Sequence, residues 1–428
     1  MESRFRVVAR IRDSLKSKKK KAKITFTDDT ISIGDDSFQF DRVCGPNITN
    51  NLLYSGEIKN IVNKFCNGYN GCILAYGQSS AGKTHSITGT ARDPGIVPSI
   101  INHIFDFIDG NNGEYVLRVC YLEIYGENIR DLMARGPSRV KISSKRLVNE
   151  KSIIVLDEDH VFSEISHANK SRITRKTNAN AQSSRSHTVL RITLEQLLEN
   201  GQTYESKLDI CDLAGSESAD KSGSDKGISE MKFINKSLES LRSVVQILSK
   251  PKNTSRVPSY RDSVLTRLLE PSLSGKSNVL ILCCISPFLI HASETRSTLR
   301  FASAAKKLKI NVTKVENDPH LLLTQYKNRI EQLEKDLRKV TEEDVKIRME
   351  QEIGNYDNLI IRGNTMDNSR SMSRVTNLTN IQELETLDRE NIKLSSNLSR
   401  TKEELDRLKS HILAYSDYII KKYEEKIF

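Results

Sequence analysis

The sequence predicts an α/β layered domain followed by a helical extension. Up to about residue 312, short apolar runs alternate with helix-like segments, which is typical of a sheet covered by helices. One of these runs leads directly into a glycine-containing loop, and heptad spacing begins after residue 320. At 428 residues, the chain is long enough for about two or three structural units.

The strands are predicted from apolar runs bounded by polar or turn-forming residues. These runs are RFRVVARI, GCILAY, YVLRVCYLEIY, HTVLRITLEQ, KLDICDLA and NVLILCCIS. Helices are predicted between or after them at residues 54–66, 98–108, 228–249 and 262–271. A sheet of this kind presents ligands at the carboxyl ends of its strands.

Beyond residue 320, apolar residues recur at alternating spacings of three and four. One such seam covers 323–347 with a break at Asp344, and a second covers 384–419. Charged residues fill the intervening positions, which favours a coiled coil and a parallel homodimer. An amphipathic helix packed on a globular domain is the alternative. Residues 354–380 are rich in Asn, Ser, Thr and Gly and read as a linker.

The composition limits the class of partner and the compartment. A formal net charge of +11 fits a polyanionic partner, whether nucleic acid, an acidic protein lattice or an anionic membrane. The lysine run KSKKKKAK at 16–23 is expected to be a solvated loop, with auxiliary binding to an acidic surface as the alternative. Seven cysteines without a C-x-x-C pair indicate reduced, intracellular thiols. The apolar run 279–285 is too short to span a membrane, so we expect a soluble protein of the cytoplasm or nucleus.

The sequence GQSSAGKT fits the phosphate-binding pattern G-x-x-x-x-G-K-[ST] and directly follows the strand GCILAY. Small residues let backbone N–H groups surround phosphates, and the helix expected to begin near Lys83 adds its positive dipole end. In this pattern Lys83 reaches the β- and γ-phosphates, and the Thr84 hydroxyl ligates Mg²⁺. The predicted nucleotide-binding residues of this stretch are Gly77, Gln78, Ser79, Ser80, Ala81, Gly82, Lys83, Thr84 and His85.

Two further segments suit loops that respond to a γ-phosphate. NANAQSSRSH at 178–187 groups hydroxyls and an arginine before a strand, and LDICDLAGSE at 208–217 places Asp, Gly and Glu after one. An Asp at a strand end can bind the Mg²⁺ shell, and a Gly can offer its N–H to a γ-phosphate. Taken alone, SSRSH also suits a surface loop, and DLAGSE suits a capped turn. Their order after the phosphate loop favours a nucleotide switch.

With these three motifs, residues 3–317 resemble the motor domain of kinesins. The resemblance also rests on FQFDRVCGP, YLEIYGENIRDLM, INKSLESL and YRDSVLTRLLEPSL. It implies a P-loop NTPase fold in which helices flank both faces of a central, mostly parallel or mixed sheet. The implied organisation is a motor domain at 1–312, a neck linker at 313–320, a neck coiled coil at 321–352, a flexible linker at 353–380 and a coiled coil at 381–424.

The resemblance also assigns roles to the switch residues. Ser183 and Ser184 would close on the γ-phosphate and Mg²⁺, and Arg185 would form a salt bridge to Glu217 around the attacking water. Asp212 would hold Mg²⁺ through water, and the Gly215 N–H would sense the γ-phosphate. The metal shell would then comprise Thr84, Ser184 and Asp212.

The remaining implied roles concern the base and the track. His85 would stack on the adenine with Arg10 near it, and Asn235 would couple the site to the long helix that follows. Candidates for contact with the acidic tubulin surface are Lys232, Lys236, Arg261 and Arg267.

The sequence departs from the family pattern at four positions. Asp13 stands where a proline usually follows Arg12, which puts the contact with the base in doubt. Phe233 and Val264 replace residues that are commonly Asn and a basic residue, and Ser259 is an insertion. Track affinity is therefore expected to be weaker or differently arranged.

The resemblance implies ATP hydrolysis coupled to movement on microtubules, with ATP and Mg²⁺ as cofactors. A motor placed before its neck and coiled coil implies plus-end direction, and FASAAKKLK favours the centromere-protein-E-like branch with a spindle or transport role. The expected location is the cytoplasm, on microtubules or the spindle. A non-motile microtubule-binding regulator on the same fold is the first alternative. A nucleic-acid-dependent P-loop ATPase is the second, and SSRSH and DLAGSE argue against it.

Overall fold

The structure is a computed structural model that describes most of the first 316 residues. The described ranges are 4–13, 20–134, 139–143, 146–176, 185–198, 202–217, 225–250 and 257–316. The chain divides into two compact units, Met1–Glu316 and Asn317–Phe428. Apart from isolated helical positions, the coiled-coil and linker predictions for 321–424 lie outside the described residues.

Fourteen strands occur in the described part of the chain. They are β1 (Arg6–Ile11), β2 (Ile24–Phe26), β3 (Thr30–Ile33), β4 (Asp36–Gln39), β5 (Arg42–Cys44), β6 (Gly71–Tyr76), β7 (Glu114–Tyr125), β8 (Asn128–Asp131), β9 (Lys141–Ser143), β10 (Arg146–Val148), β11 (Ile153–Val155), β12 (His187–Leu197), β13 (Thr203–Asp212) and β14 (Asn278–Ile285). Nine of them form a central sheet in the order β11-β7-β12-β13-β6-β14-β1-β5, with β8 beside β7.

The central sheet is mixed, which is one of the two arrangements that the resemblance implies. The five strands from β13 to β5 run parallel, whereas β11, β7, β12 and β13 pair antiparallel. Every residue of β6 and β14 is buried, which explains their continuous apolar sequences, because a strand covered on both faces has no solvent side. The carboxyl ends of β1, β6 and β13 therefore lie along the same side of the sheet, where a ligand can bind.

Helices cover both faces of this sheet. They are α1 (Asn50–Leu53), α2 (Lys59–Cys66), α3 (Lys83–Ile87), α4 (Ile96–Asp109), α5 (Glu158–Lys176), α6 (Asp225–Leu248), α7 (Val264–Pro271) and α8 (Ala292–Ala305). Leu241, Leu265 and Leu299 of α6, α7 and α8 belong to one apolar core. Residues of α2, α4 and α5 belong to the core on the other face. The alternation of side chains along the strands supplies both cores.

The four predicted helices are present with shifted ends. The helix predicted at 54–66 continues back through a π-helical turn, Tyr54–Ile58, to α1, which Thr49 caps by accepting from the Leu52 N–H at 3.3 Å. The helix predicted at 228–249 begins at Asp225, and the helix predicted at 98–108 begins at Ile96. The sequence pattern did not predict α5, because polar residues occupy most of its positions.

The segment after α8 lies along the described part of the domain. The Val315 N–H donates to the Gly68 carbonyl at 3.0 Å, and the Val315 carbonyl accepts from the Glu205 N–H at 3.0 Å. The Lys314 ammonium lies 4.8 Å from the ring centroid of Tyr204 and 5.9 Å from that of Tyr69. The beginning of the predicted neck linker is thus bonded to the first half of β13 and to the loop before β6. In the described part of the chain, none of the helices combines the length and apolar character that a membrane crossing requires.

Candidate nucleotide site

A cleft of about 950 Å³ opens at the edge where β1, β6 and β13 end. Its lining includes the loop between β6 and α3, the end of β1 with the residues after it, and Arg172 of α5. The predicted residues Arg10, Ser80, Lys83, Thr84 and His85 all line it. The structure therefore brings most of the predicted nucleotide-binding residues together in one cavity.

The loop Gly77–Gly82 has a backbone that its small residues make possible. Gly77 has φ 147°, and a Cβ at this position would overlap the carbonyl oxygen of Cys284 on β14. Lys83, the first residue of α3, is buried and donates from Nζ to the carbonyl oxygens of Gly77 and Gln78, each at 2.8 Å. Burial lowers the pKa of Lys83, while Asp212 opposes that shift.

Thr84 and Asp212 are in contact at the N-terminus of α3. Thr84 Oγ1 donates to Asp212 Oδ2 at 2.6 Å, and Asp212 is the last residue of β13. Burial raises the pKa of Asp212, whereas the Thr84 hydrogen bond and the Lys83 charge lower it. Within the described residues, Asp212 Oδ1 is buried without a hydrogen-bond partner.

The DLAGSE loop lies against the phosphate loop. Ser79 N–H donates to Glu217 Oε2 at 2.7 Å, and Ser216 N–H donates to the Gly77 carbonyl at 3.2 Å. A side chain at Gly215 would overlap Ser79 Oγ and the Glu217 carboxylate. A larger residue at position 215 would therefore have to displace the ends of these two side chains, and the two predicted motifs are in direct contact.

The predicted contacts of the other switch are only partly described. Ser183 and Ser184 lie outside the described residues, so their roles remain predictions. Arg185 is described and half-buried. Among the described residues, no ion pair joins Arg185 to Glu217, whose Oε2 accepts from the phosphate loop instead.

His187 connects this switch to the DLAGSE loop and to α6. The Ala214 N–H donates to His187 Nδ1 at 3.0 Å, so the ring proton lies on Nε2, 2.8 Å from the Ser237 hydroxyl. Complete burial lowers the pKa of His187 to about 3, and the Lys83 charge adds to this shift. The site therefore contains a neutral imidazole that the sequence analysis did not single out. Its place at the end of the SSRSH motif was the available signal.

The two residues predicted to hold the base, Arg10 and His85, both line the cleft. Arg10 is buried and donates to Asn50 Oδ1, Ser86 Oγ at 2.7 Å and the Ile48 carbonyl at 3.0 Å. His85 Nε2 lies 3.3 Å from the Asp93 carboxylate, and both residues line the cavity. Arg12 and Asp13 also line it, and Arg12 donates to the Ser80 carbonyl.

Arg172 is a site residue that sequence reasoning missed. Its Nη2 donates to Ser186 Oγ at 3.2 Å, and its Nε lies 3.4 Å from Glu123 Oε1, which accepts from Ser186 Oγ at 2.8 Å. Arg172 also acts to lower the pKa of Asp212. The buried Glu123 in the apolar strand YLEIY was the one sequence signal that pointed here.

The candidate track residues differ in how they are held. Lys236 Nζ lies 3.7 Å from Glu127 Oε1, and both side chains are exposed. Arg267 donates to the Ile142 carbonyl at 2.8 Å, and Arg261 is exposed on a 3₁₀ turn, Tyr260–Asp262.

The other predicted residues of this region are placed as follows. The side chains of Lys232 and Phe233 lie outside the described part, and Asn235 is half-buried on α6. Val264 is buried at the start of α7, and its N–H donates to Glu127 Oε2 at 3.1 Å. Ser259 directly precedes the 3₁₀ turn and donates to Asp262 Oδ1 at 2.7 Å.

The donor set fits a magnesium nucleotide. Mg²⁺ prefers oxygen ligands, and the Thr84 hydroxyl and the unpartnered Asp212 Oδ1 supply them at the mouth of the phosphate loop. A buried Lys83 and the N-terminus of α3 supply positive charge beside them.

Comparison with known proteins identifies relatives over the same span. A family model described as the kinesin motor domain matches residues 3–308. Kinesin-related protein 4 of Dictyostelium discoideum is 39% identical over 331 residues, covering 73% of this chain and 17% of the relative. The kinesin-like protein KIN-7G of Oryza sativa subsp. japonica is 38% identical over 316 residues, covering 71% and 34%.

The fold is also found among solved structures. A structure described as that of a fast kinesin, with implications for ATPase mechanism and interactions with microtubules, superposes with a TM-score of 0.67 at 35% identity. The match covers 73% of this chain and 94% of that one. This chain therefore spans only a minor part of the two curated relatives but nearly all of a solved motor domain. Neither relative's name supports the centromere-protein-E-like branch.

Proposed function

Since the chain belongs to the kinesin motor-domain family, we propose that it is a microtubule-stimulated ATPase and a microtubule motor. The proposal extends to plus-end movement, a homodimer through the C-terminal heptads, and a role in transport or on the spindle. Its location would then be the cytoplasm, on the microtubule cytoskeleton.

One observation carries the proposal. Asp212 and Glu217, at the two ends of the loop after β13, each bond directly to the phosphate loop, through Thr84 and the Ser79 N–H. A loop tied in this way changes its bonds when a γ-phosphate is present or absent. A phosphate-binding loop that only stored nucleotide would not need a second loop with an acidic residue at each end.

The residues divide the chemistry of phosphoryl transfer among them. Lys83 Nζ, the N–H groups of 79–84 and the N-terminus of α3 bind and orient a triphosphate. Thr84, Asp212 and, as predicted, Ser184 would hold Mg²⁺ directly or through water. When bound, Mg²⁺ neutralises phosphate charge and aligns the terminal phosphate. Gly215 offers a backbone N–H, and Glu217 and Arg185 hold the attacking water.

Helix α6 is the proposed route from this site to the track. His187 bonds at once to Ala214 of the loop and to Ser237 of α6. Lys236 is exposed on the same helix, and Arg261 on the turn before α7 is also exposed. Their positive charge, together with Lys232, suits the acidic surface of tubulin.

The direction rests on the segment that follows α8. Its hydrogen bonds with Gly68 and Glu205 support a neck that docks along the motor domain, as plus-end movement requires. The homodimer rests on the heptad spacing at 384–419.

The test is steady-state ATPase measured against microtubule concentration. We expect saturable stimulation, and Lys83→Ala should lower turnover at least about a hundredfold, whereas the exposed Lys276→Ala should not. A parallel titration with DNA and RNA tests the nucleic-acid alternative. Stimulation without gliding would favour the non-motile regulator, and no stimulation by microtubules would overturn the proposal.

A further inference from the structure

We propose that Arg242 of α6 is a positioning residue that makes the DLAGSE loop and the track-facing helix move together. The inference rests on the proposed function, because it concerns how microtubule binding reaches the nucleotide site. Arg242 is not part of any motif from which the function was argued.

The Arg242 guanidinium joins three elements. Its Nε donates to the Tyr76 hydroxyl at 2.7 Å, and its Nη2 donates to the Ser216 carbonyl at 3.1 Å. Tyr76 is the last residue of β6, immediately before the phosphate loop. The planar guanidinium has donors in fixed directions, so both bonds constrain the position of α6.

The Tyr76 hydroxyl is a fixed point of attachment. The Tyr76 side chain is fully buried, and its ring stacks on Phe301 of α8 with centroids 4.0 Å apart. Because the ring cannot shift without disturbing this core, the Nε bond holds Arg242 to the sheet.

The Ser216 carbonyl, in contrast, belongs to the loop that responds to phosphate. Gly215 lies between two tethered residues, since Ala214 N–H bonds to His187 and Ser216 N–H bonds to the Gly77 carbonyl. The Arg242 bond therefore attaches α6 next to the residue proposed to sense the γ-phosphate. A change at Gly215 must either displace α6 or break this bond.

A purely structural role for Arg242 would rest on its remaining partner. Arg242 Nη1 lies 3.6 Å from Glu239 Oε2, but the Glu239 side chain is 72% exposed. An ion pair of that kind contributes little, because solvent screens it. Glu239→Gln is thus a matched control that removes the charged partner of the same guanidinium while leaving both bridging bonds.

The first experiment is a double-mutant cycle on microtubule-stimulated ATPase. Arg242→Met should lower the ratio of stimulated to basal turnover about tenfold, and Tyr76→Phe about threefold. Tyr76→Phe should have a smaller effect in the Arg242→Met background than in the wild type, because the bond to Arg242 is already lost and only the hydrogen bond between the Tyr76 hydroxyl and the Ser216 side chain remains to be removed. Glu239→Gln should behave like the wild type. Independent, additive effects, or normal stimulation in both single variants, would overturn the inference.

A second measurement does not require microtubules. A non-hydrolysable ATP analogue should slow amide hydrogen exchange in 235–248 of the wild type and Glu239→Gln, but not of Arg242→Met or Tyr76→Phe. Equal protection in all four proteins would overturn the bridge. If the wild type is not stimulated by microtubules, the proposed function fails, and this exchange experiment still decides whether Arg242 couples the loop to α6. Tyr76→Phe preserves the ring, so the test remains available if Arg242→Met does not fold.

Discussion

The phosphate loop and the proposed track-facing surface both depend on basic residues, but the protein holds these residues in different ways. Lys83 is buried and bonds to carbonyl oxygens five and six residues before it. Lys236 is 55% exposed, and its partner Glu127 comes from a turn more than one hundred residues earlier. Arg267 bonds to a carbonyl oxygen on β9, which is equally remote in sequence.

The difference shows where a motif is enough to predict a site. A phosphate loop is local, so its spacing alone places backbone, lysine and hydroxyl together. A charged surface depends on which charges the fold has already neutralised. The predictions below test this distinction, beginning with the largest expected effect.

Gly77→Ala tests how strongly the backbone determines the phosphate site. We expect the free energy of unfolding to fall by about 3 to 5 kcal/mol, from the left-handed φ and from the overlap with Cys284. Gly82→Ala is the matched control. It also has a positive φ, 105°, but open space around its Cβ, so about 1 to 2 kcal/mol is expected.

Chemical denaturation followed by circular dichroism measures both variants. Equal losses would show that strain alone matters and that contact with β14 does not. The requirement for glycine at position 77 would then come from its backbone conformation and not from its contact with Cys284.

The same distinction explains how much the sequence could predict. The strand at 71–76 is predicted to the residue, because an apolar run ends at a glycine-containing loop. The Thr84–Asp212 pair is also recoverable, since both residues belong to known patterns. Arg172 could not be found, because its helix is polar and its partners Glu123 and Ser186 lie on other elements.

For the proposed track-facing surface, the sequence did not show which basic side chains are free to contact a partner. Four basic residues were chosen for their positions, but the fold gives Arg267 an internal acceptor. Val264 was noted as a departure, and its burial shows that this position packs against the core of the domain. Such partners depend on tertiary contacts that no local pattern contains.

Arg267→Ala and Lys236→Ala separate structural from track-facing charge. Arg267→Ala should lower the free energy of unfolding by about 1 to 2 kcal/mol, because the Ile142 carbonyl loses a charged donor. Lys236→Ala should leave stability unchanged but raise the half-saturating microtubule concentration about threefold at low salt. Thermal unfolding and ATPase titrations measure the two effects. If Arg267→Ala instead weakened microtubule binding and Lys236→Ala lowered stability, Arg267 would be the track-facing charge and Lys236 the structural one.

His187 predicts a dependence of stability on pH. Its pKa is about 3 in the folded protein, below the ordinary value near 6.5, so the unfolded chain binds the proton more readily. The contribution of neutral His187 to the free energy of unfolding is complete above pH 6.5 and is lost as the pH falls toward 3. Between pH 6.5 and 5, the wild type should lose about 1.5 kcal/mol more than His187→Gln. Denaturation at several pH values measures this, with the exposed His167→Gln as control, and parallel curves for wild type and His187→Gln would contradict it.

The smallest expected effect concerns a third environment for a basic residue, which is exposed and, within the described residues, forms no salt bridge. The exposed Lys314 ammonium faces the rings of Tyr204 and Tyr69, next to the Val315 N–H that bonds to Gly68. A cation–π contact at an exposed site contributes about 0.5 to 1 kcal/mol. Lys314→Met keeps the aliphatic stem and removes the charge. It should therefore speed exchange of the Val315 amide about two- to fivefold, whereas the exposed Lys307→Met should not.

Paired changes at Tyr204 identify the ring as the cause. Tyr204→Phe retains the aromatic face and loses only the hydroxyl that donates to Gln202, so protection of the Val315 amide should persist. Tyr204→Leu removes the face and should have the same effect as Lys314→Met. If Lys314→Met leaves exchange unchanged, the backbone bonds alone hold the segment, and its docking would depend on main-chain pairing with Gly68 and Glu205. If both tyrosine variants lose protection, the hydroxyl matters more than the ring, and the charge of Lys314 is incidental to the docking of this segment.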